Sequence, residues 1–221
     1  MIGLIRVVTL ERPEEVNRHA QVIEKKYGLS IKSACIPNQY NGIHNDETEV
    51  LAVPKILELG KQFKEQGCTG LIVSCAADPA IEQLREETGL FVIGAGSSAA
   101  LIARSTGKKT GVIGITSIVP TVIEENLDEL FAGYIKPKNI NNTNDLLTSV
   151  GQENCITAVK QLIEQGAQQI LFACTGMGTI NLKSLLQEVI DVPVIDAVDA
   201  EGSMVNFYLN GNGSQFRRNR L

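Results

Sequence analysis

The sequence predicts an α/β protein of two pseudo-symmetric lobes, each a mainly parallel sheet flanked by helices, with a cleft between the lobes. Apolar runs of strand length alternate along the chain with segments whose apolar residues recur at helical spacing. The runs are apolar at nearly every position, which is typical of parallel strands covered by helices on both faces. The second half of the chain repeats the order of the first half, which indicates an internal duplication.

The first half contains four predicted strands with helices between them. Gly28 and Gly67 end two of the helices, and Pro54 kinks or begins the longer one. A short helix is predicted from Asp78, with this aspartate as its N-cap and Pro79 in its first position. The predicted strands of this half are residues 2–10, 30–36, 70–75 and 90–95.

The second half repeats this rhythm at a nearly constant offset. Gly67 lies eight residues before Cys75, and Gly166 lies eight residues before Cys174, so both pairs are offset by 99. We therefore predict one lobe from residues 1–97 with 201–221, and the other lobe from residues 98–200. The elements predicted for the second half are a strand at 111–116, a helix at 119–131, an Asn-rich loop, a helix at 153–166, a strand at 170–174, a helix at 182–189 and a strand at 192–198.

Composition and charge exclude several classes of protein. The chain has 221 residues, of which 43% are hydrophobic, and its net charge of −5 with no basic face argues against nucleic-acid binding. No apolar run approaches the length of a membrane span, and the first residues lack the pattern of a signal peptide. We expect a cytoplasmic protein that forms a homo-oligomer. The basic segment QFRRNRL at the C-terminus is interpreted as a solvated tail.

The five cysteines are predicted to be free thiols. Their number is odd, no C-x-x-C motif occurs, and a reducing compartment keeps thiols reduced. The only histidines, His19 and His44, stand at no metal-ligand spacing, so we predict neither a metal nor a cofactor.

Cys75 and Cys174 are the candidate catalytic residues. Each follows an apolar strand, and ligands of parallel α/β proteins bind beyond the carboxyl ends of strands. A predicted helix start follows each cysteine, and free amides there favour anions and lower the pKa of a thiol. Small neighbours, among them Ala76 and Gly176, let main-chain amides approach a substrate oxygen.

Two thiols on opposite sides of a cleft suit the inversion of a stereocentre. One thiolate removes a proton from carbon, and the other thiol returns a proton to the opposite face. A single cysteine at a strand end more often only fills space, but its repetition at an equivalent position favours the functional interpretation. The other three cysteines have no such counterpart and are predicted to be structural: Cys35, Cys68 and Cys155.

Other motifs carry weaker signals. Residues 94–99, GAGSSA, fit a dinucleotide-binding pattern, but they follow the fourth strand and no acidic residue stands about twenty positions later. We interpret them as a turn close to the cleft, where Ser97 or Ser98 contacts the substrate. Asp196 is predicted to cap the following helix. The acids near His44 are predicted to favour the start of a helix: Asp46, Glu47 and Glu49.

The segments IVSCAADPA and LFACTGMG resemble the two cysteine motifs of the aspartate/glutamate/hydantoin racemase superfamily, most closely its hydantoin racemase-like branch. The resemblance extends to FVIGA and to GIHNDETEVLAVPKIL, and it covers about residues 3–205. It implies a cofactor-independent racemase in which Cys75 and Cys174 are the two bases. The expected substrate contacts are Thr9, Ser74, Ala76, Ala77, Thr116, Ser117, Thr175 and Gly176.

Two departures leave the substrate open. The hydantoin and allantoin racemases have an Asn-Pro-Asn type loop after the first strand, where this chain reads VVTLERPEE. Amino-acid racemases often have Asn after the first cysteine, where this chain has Ala76. The expected activity is racemisation of an amino acid or a hydantoin. The alternatives are an arylmalonate decarboxylase-like or maleate isomerase-like enzyme, or a non-catalytic sensor of a small molecule.

Overall fold

The computed structural model describes residues 1–211, and the C-terminal segment predicted to be a tail lies outside them. Within residues 1–211, eight strands form two four-stranded sheets in which every pair is parallel. The strands are β1 Ile2–Arg6, β2 Ile31–Cys35, β3 Gly70–Ser74, β4 Phe91–Gly94, β5 Thr110–Ile113, β6 Phe131–Ile135, β7 Gln169–Phe172 and β8 Val194–Ile195.

Helices cover the sheets. They are α1 Pro13–Val16, α2 Arg18–Tyr27, α3 Asp46–Glu65, α4 Ile81–Thr88, α5 Ala95–Ser105, α6 Thr121–Leu127, α7 Ser149–Glu164, α8 Thr175–Thr179, α9 Leu182–Gln187 and α10 Ala197–Gly211. Of these, α10 packs against both α2 and α5. None of the helices in residues 1–211 is long and apolar enough to cross a membrane.

The two sheets have the same topology, which confirms the predicted fold of two similar lobes. Their strand orders are β2-β1-β3-β4 and β6-β5-β7-β8, so each strand of one sheet has a counterpart in the other. The central strands β1, β3, β5 and β7 are buried along their whole length. This explains their uniformly apolar sequences, since helices cover both faces of each sheet. The lobe boundaries at residues 97/98 and 200/201 stay a prediction.

Several local predictions differ from the structure. The edge strand β6 was not predicted, because its residues are only half-buried and lack a long apolar run. The first predicted helix is split at Asn17 into α1 and α2. Helix α3 begins at Asp46 and continues through Pro54, and the side chains of Asn45 and Thr48 form a capping box at its start.

Asp78 does not cap the helix that follows it, contrary to the prediction. Its backbone is left-handed (φ 53°), and α4 starts only at Ile81. Its carboxylate instead accepts hydrogen bonds from the N–H groups of Gly96 (2.7 Å) and Ser97 (2.8 Å) at the start of α5. A Cβ on Gly96 would lie 2.1 Å from the carbonyl oxygen of Ala76. The glycine therefore permits this close approach, and the helix start is already occupied by a carboxylate.

Asp78→Ala is expected to lower the free energy of unfolding by about 2 kcal/mol, because both amides of α5 lose their buried acceptor. For a chain of this size that corresponds to a fall in Tm of roughly 4–8 °C. Thermal unfolding followed by circular dichroism measures the shift. Asp78→Asn keeps one acceptor and tolerates the left-handed backbone, so it should lose less. An unchanged Tm in the alanine variant would show that the cap contributes nothing.

Candidate active site

Cys75 and Cys174 line one cavity at the carboxyl ends of β3 and β7. The cavity has a volume of about 750 Å³, which is within the range of small-molecule sites. Both thiols are largely buried, with exposed fractions of 8% and 7%. Cys75 directly follows β3, and Cys174 is the N-cap residue of α8. Equivalent strands of the two lobes thus bring the two cysteines to the same space.

The turns that carry the cysteines touch each other directly. The hydroxyl of Thr175, next to Cys174, donates a hydrogen bond of 3.2 Å to the carbonyl oxygen of Ser74, next to Cys75. A Cβ on Gly176 would lie 3.3 Å from the sulfur of Cys174. Glycine at this position therefore leaves room beside the thiol for another molecule.

The surroundings of the two thiols shift their pKa values to different extents. Burial raises the pKa of Cys75 far above its ordinary value, against the lowering effect of the Ala77 amide. Burial also raises the pKa of Cys174, to about 11, although the amides of Gly176 and Met177 and the charge of Arg6 lower it. The expected lowering by helix starts is therefore outweighed by burial, and Cys174 is the easier thiol to ionise.

Arg6 is a cavity residue that the sequence interpretation missed. It ends β1, is only 5% exposed and lines the cavity. Its Nη1 donates to the carbonyl oxygens of Glu15 (3.0 Å) and Val16 (3.5 Å). Among residues 1–211, no carboxylate lies within ion-pair distance of this guanidinium. The available signal was a charged residue inside an otherwise apolar strand.

Most of the predicted contact residues come together in the cavity. They are Ser74, Ala76, Ala77, Thr116, Ser117, Thr175 and Gly176. The hydroxyl of Thr116 is already used, because it donates to the carbonyl oxygen of Ile118 at 2.6 Å. Thr9 does not line the cavity. Its hydroxyl donates to the Ile36 carbonyl oxygen (2.7 Å) and accepts from the Gln39 amide (2.8 Å), so it stabilises a turn.

The remaining predicted groups are distributed as follows. Ser97 and Ser98 do not line the cavity, and neither do the three cysteines predicted to be structural. Asp196 accepts a hydrogen bond of 2.8 Å from the Val198 amide at the start of α10, as predicted. The acids of the first turn of α3 face the cavity: Asp46, Glu47 and Glu49. Within residues 1–211 no group of three or more His, Cys, Asp or Glu residues is arranged to hold a metal ion.

Two similar parallel-sheet lobes flanked by helices, with a cavity at their strand ends, form a two-lobed α/β racemase fold. The chain belongs to the Asp/Glu/Hydantoin racemase family, whose model matches residues 14–204. No curated protein matches the sequence significantly.

Solved structures share this fold at low sequence identity. The chain is similar to the allantoin racemase from Klebsiella pneumoniae, with 24% identity and a TM-score of 0.76, covering 96% of this chain and 88% of that one. The allantoin racemase from Pseudomonas fluorescens is 19% identical, with a TM-score of 0.77 and coverage of 96% and 91%. An arylmalonate decarboxylase is 15% identical, with a TM-score of 0.59 and coverage of 96% and 93%.

Proposed function

We propose that the chain is a cofactor-independent racemase or epimerase that inverts a carbon centre next to a carbonyl group, with Cys75 and Cys174 as the two proton-transfer residues. The observation that carries the proposal is that both thiols line one cavity at equivalent strand ends. Membership of the racemase family supports it.

The proposed chemistry balances without a cofactor. The thiolate of one cysteine takes the proton from the substrate carbon, and the electron pair moves to the carbonyl oxygen to form an enolate. The thiol of the other cysteine then protonates the carbon from the opposite face and becomes a thiolate. The amides of Gly176 and Met177 lie at Cys174 and the amide of Ala77 lies at Cys75, where they stabilise each thiolate as it forms. The reverse turnover, or exchange with solvent, restores the starting protonation state.

We infer that the substrate is an amino acid or a cyclic derivative such as a hydantoin. Both have an acidic hydrogen next to a carbonyl group, and both fit a cavity of about 750 Å³. Arg12 at the cavity already pairs with Glu15, whereas no carboxylate of residues 1–211 lies within ion-pair distance of Arg6. This favours substrates with a carboxylate or an ionisable imide. The cytoplasmic location and the homo-oligomer stay predictions.

Incubation in heavy water tests the proposal on a panel of amino acids and 5-substituted hydantoins. A substrate should gain one deuterium at the inverted carbon while its optical rotation decays, because the returning hydrogen comes from a solvent-exchanged thiol. Mass spectrometry and polarimetry measure the two changes. The protein with both Cys75→Ser and Cys174→Ser is the control.

Adding arylmalonates to the panel separates a decarboxylase and a sensor from a racemase. Release of carbon dioxide from arylmalonates would favour a decarboxylase, which needs only one protonating thiol. Binding of a panel member without deuterium incorporation or any other chemical change would favour a sensor. If no amino acid or hydantoin exchanges its hydrogen, the racemase proposal is wrong.

A further inference from the structure

A buried network of hydrogen bonds connects the turn that carries Cys75 with the helix that follows Cys174. The ring of His19, at the start of α2, lies between them. Its Nδ1 is 2.8 Å from the hydroxyl oxygen of Ser74, one residue before Cys75. Its Nε2 is 2.8 Å from the hydroxyl oxygen of Thr179, the last residue of α8, which begins directly after Cys174.

The hydrogen-bond network extends to Glu201 in α10. The hydroxyl of Ser74 lies 2.8 Å from Oε1 of Glu201. The other carboxyl oxygen, Oε2, is buried and has no hydrogen-bond partner among residues 1–211. The side chains of His19, Ser74 and Glu201 are all at most 1% exposed. Polar groups buried to this degree keep their geometry because breaking one bond leaves the partner unsatisfied.

His19 can bond to both Ser74 and Thr179 in either tautomer of its neutral ring. When Ser74 donates to Glu201, it accepts from Nδ1–H of His19, and Nε2 accepts from the Thr179 hydroxyl. When a protonated Glu201 donates to Ser74, the bonds reverse and Nε2–H donates to Thr179. A neutral imidazole can therefore hold both turns in either arrangement, and in the second one the Thr179 hydroxyl hydrogen is free to point into the cavity.

Burial, together with two neighbouring arginines, keeps the imidazole of His19 neutral. Burial lowers the pKa of His19 well below its ordinary value, and Arg6 and Arg18 lower it further. Burial raises the pKa of Glu201 well above its ordinary value, while Ser74 and Arg6 lower it and Asp196 and Asp78 raise it. Arg18 also contacts the end of α8, because it donates a hydrogen bond of 2.9 Å to the carbonyl oxygen of Thr179. The start of α2 thus holds Thr179 at two points.

We propose that His19 is a positioning residue that fixes the turn bearing Cys75 against the helix that follows Cys174, so that both thiols face one substrate carbon. The role of the thiols rests on the proposed function, whereas the physical link between the turns does not. Because His19 does not line the cavity, it supports the relative position of the two turns without contacting the substrate itself.

Substitutions that keep one, the other or neither hydrogen bond test the role. His19→Asn reaches toward Ser74, His19→Gln reaches toward Thr179, and His19→Phe fills the space with no hydrogen bond. The early products in heavy water are separated by enantiomer. In the wild type, deuterium should enter almost only the inverted product, because the opposite thiol returns it.

We expect His19→Phe to lower kcat on the order of 10²-fold, the effect of about 1 Å of misplacement. The ratio of deuterated, uninverted substrate to inverted product should rise severalfold. The thiol that removed the proton would then return a deuteron to the same face of the carbon. The asparagine and glutamine variants should give intermediate ratios. A loss of folded protein alone would lower both products equally and leave the ratio unchanged. Lys26→Met removes another contact of α2, to Asp199 (2.5 Å), and should leave the ratio at the wild-type value.

A second readout needs no substrate. Dibromobimane becomes fluorescent when it bridges two thiols, and peptide mapping identifies the Cys75–Cys174 bridge. Bridging should be slower in all three His19 variants than in the wild type, and slowest in His19→Phe. If the wild type exchanges no substrate hydrogen but bridging still depends on His19, the proposed function fails and the positioning role stands. Wild-type bridging and a wild-type product ratio in the folded variants would overturn the inference.

Discussion

Replacing either cysteine with serine, Cys75→Ser or Cys174→Ser, is expected to lower the racemisation rate by about 10³-fold or more. Each thiol acts once as base and once as acid in the two directions, and a positioned general acid or base contributes about 10²–10⁴-fold. A serine hydroxyl fits the space but does not ionise in the accessible pH range, so it cannot replace the thiolate. Polarimetry in both directions measures the loss.

The two variants are expected to differ in what they retain. With only Cys174 left, hydrogen exchange without inversion remains for the one enantiomer whose hydrogen faces this sulfur. The Cys75→Ser and Cys174→Ser variants should therefore exchange the hydrogen of opposite enantiomers with solvent. Cys35→Ser removes a thiol outside the cavity and is the control. A Cys75→Ser protein that racemises at the full rate would remove Cys75 from the mechanism.

Arg6→Met is expected to reduce kcat/KM for carboxylate-bearing substrates on the order of 10²-fold. The guanidinium is 5% exposed and lines the cavity, and no carboxylate of residues 1–211 lies within ion-pair distance of it. A hydrogen bond to a charged group contributes about 1.5–3 kcal/mol. Methionine keeps much of the volume but has no charge. An uncharged hydantoin should be affected less, because it offers no carboxylate to pair with this arginine.

Arg12→Met is the matched control for this prediction. The Arg12 side chain lies at the same cavity, but it is 69% exposed and already pairs with Glu14 and Glu15, so its loss should change kcat/KM little. Thermal unfolding of both variants separates a loss of folded protein from a loss of binding. Equal effects of the two substitutions would show that the cavity uses general positive charge and not Arg6.

The location of the candidate site was predictable because it depends on local sequence. An apolar run that ends at a cysteine specifies a buried strand and places the thiol at its carboxyl end, and this holds for Cys75 and for Cys174. The spacing of Gly67 and Gly166 revealed that the two halves repeat. Thr9 was expected to contact the substrate from the family resemblance, but its hydroxyl bonds to the Ile36 carbonyl oxygen and the Gln39 amide.

Contacts between distant parts of the chain were not predictable in the same way. Asp78 has the sequence context of a cap for its own helix, yet it caps α5, because the left-handed turn aims its carboxylate across the sheet end. The edge strand β6 has half-buried residues and is defined by pairing with β5. Both features depend on where a neighbouring element lies, which a local pattern does not contain.

By itself the sequence determined two similar parallel-sheet lobes and a cysteine at an equivalent strand end of each, because periodicity and strand termini are local properties. Only the tertiary structure decided which polar side chains surround the thiols. His19 and Glu201 lie within helical patterns and contact residues 55–160 positions away, whereas Arg6 lies in an apolar strand and faces the cavity. Burial then makes these polar groups matter, since a buried charge or hydrogen-bonding group must find a partner that only the folded chain, or a bound substrate, can supply.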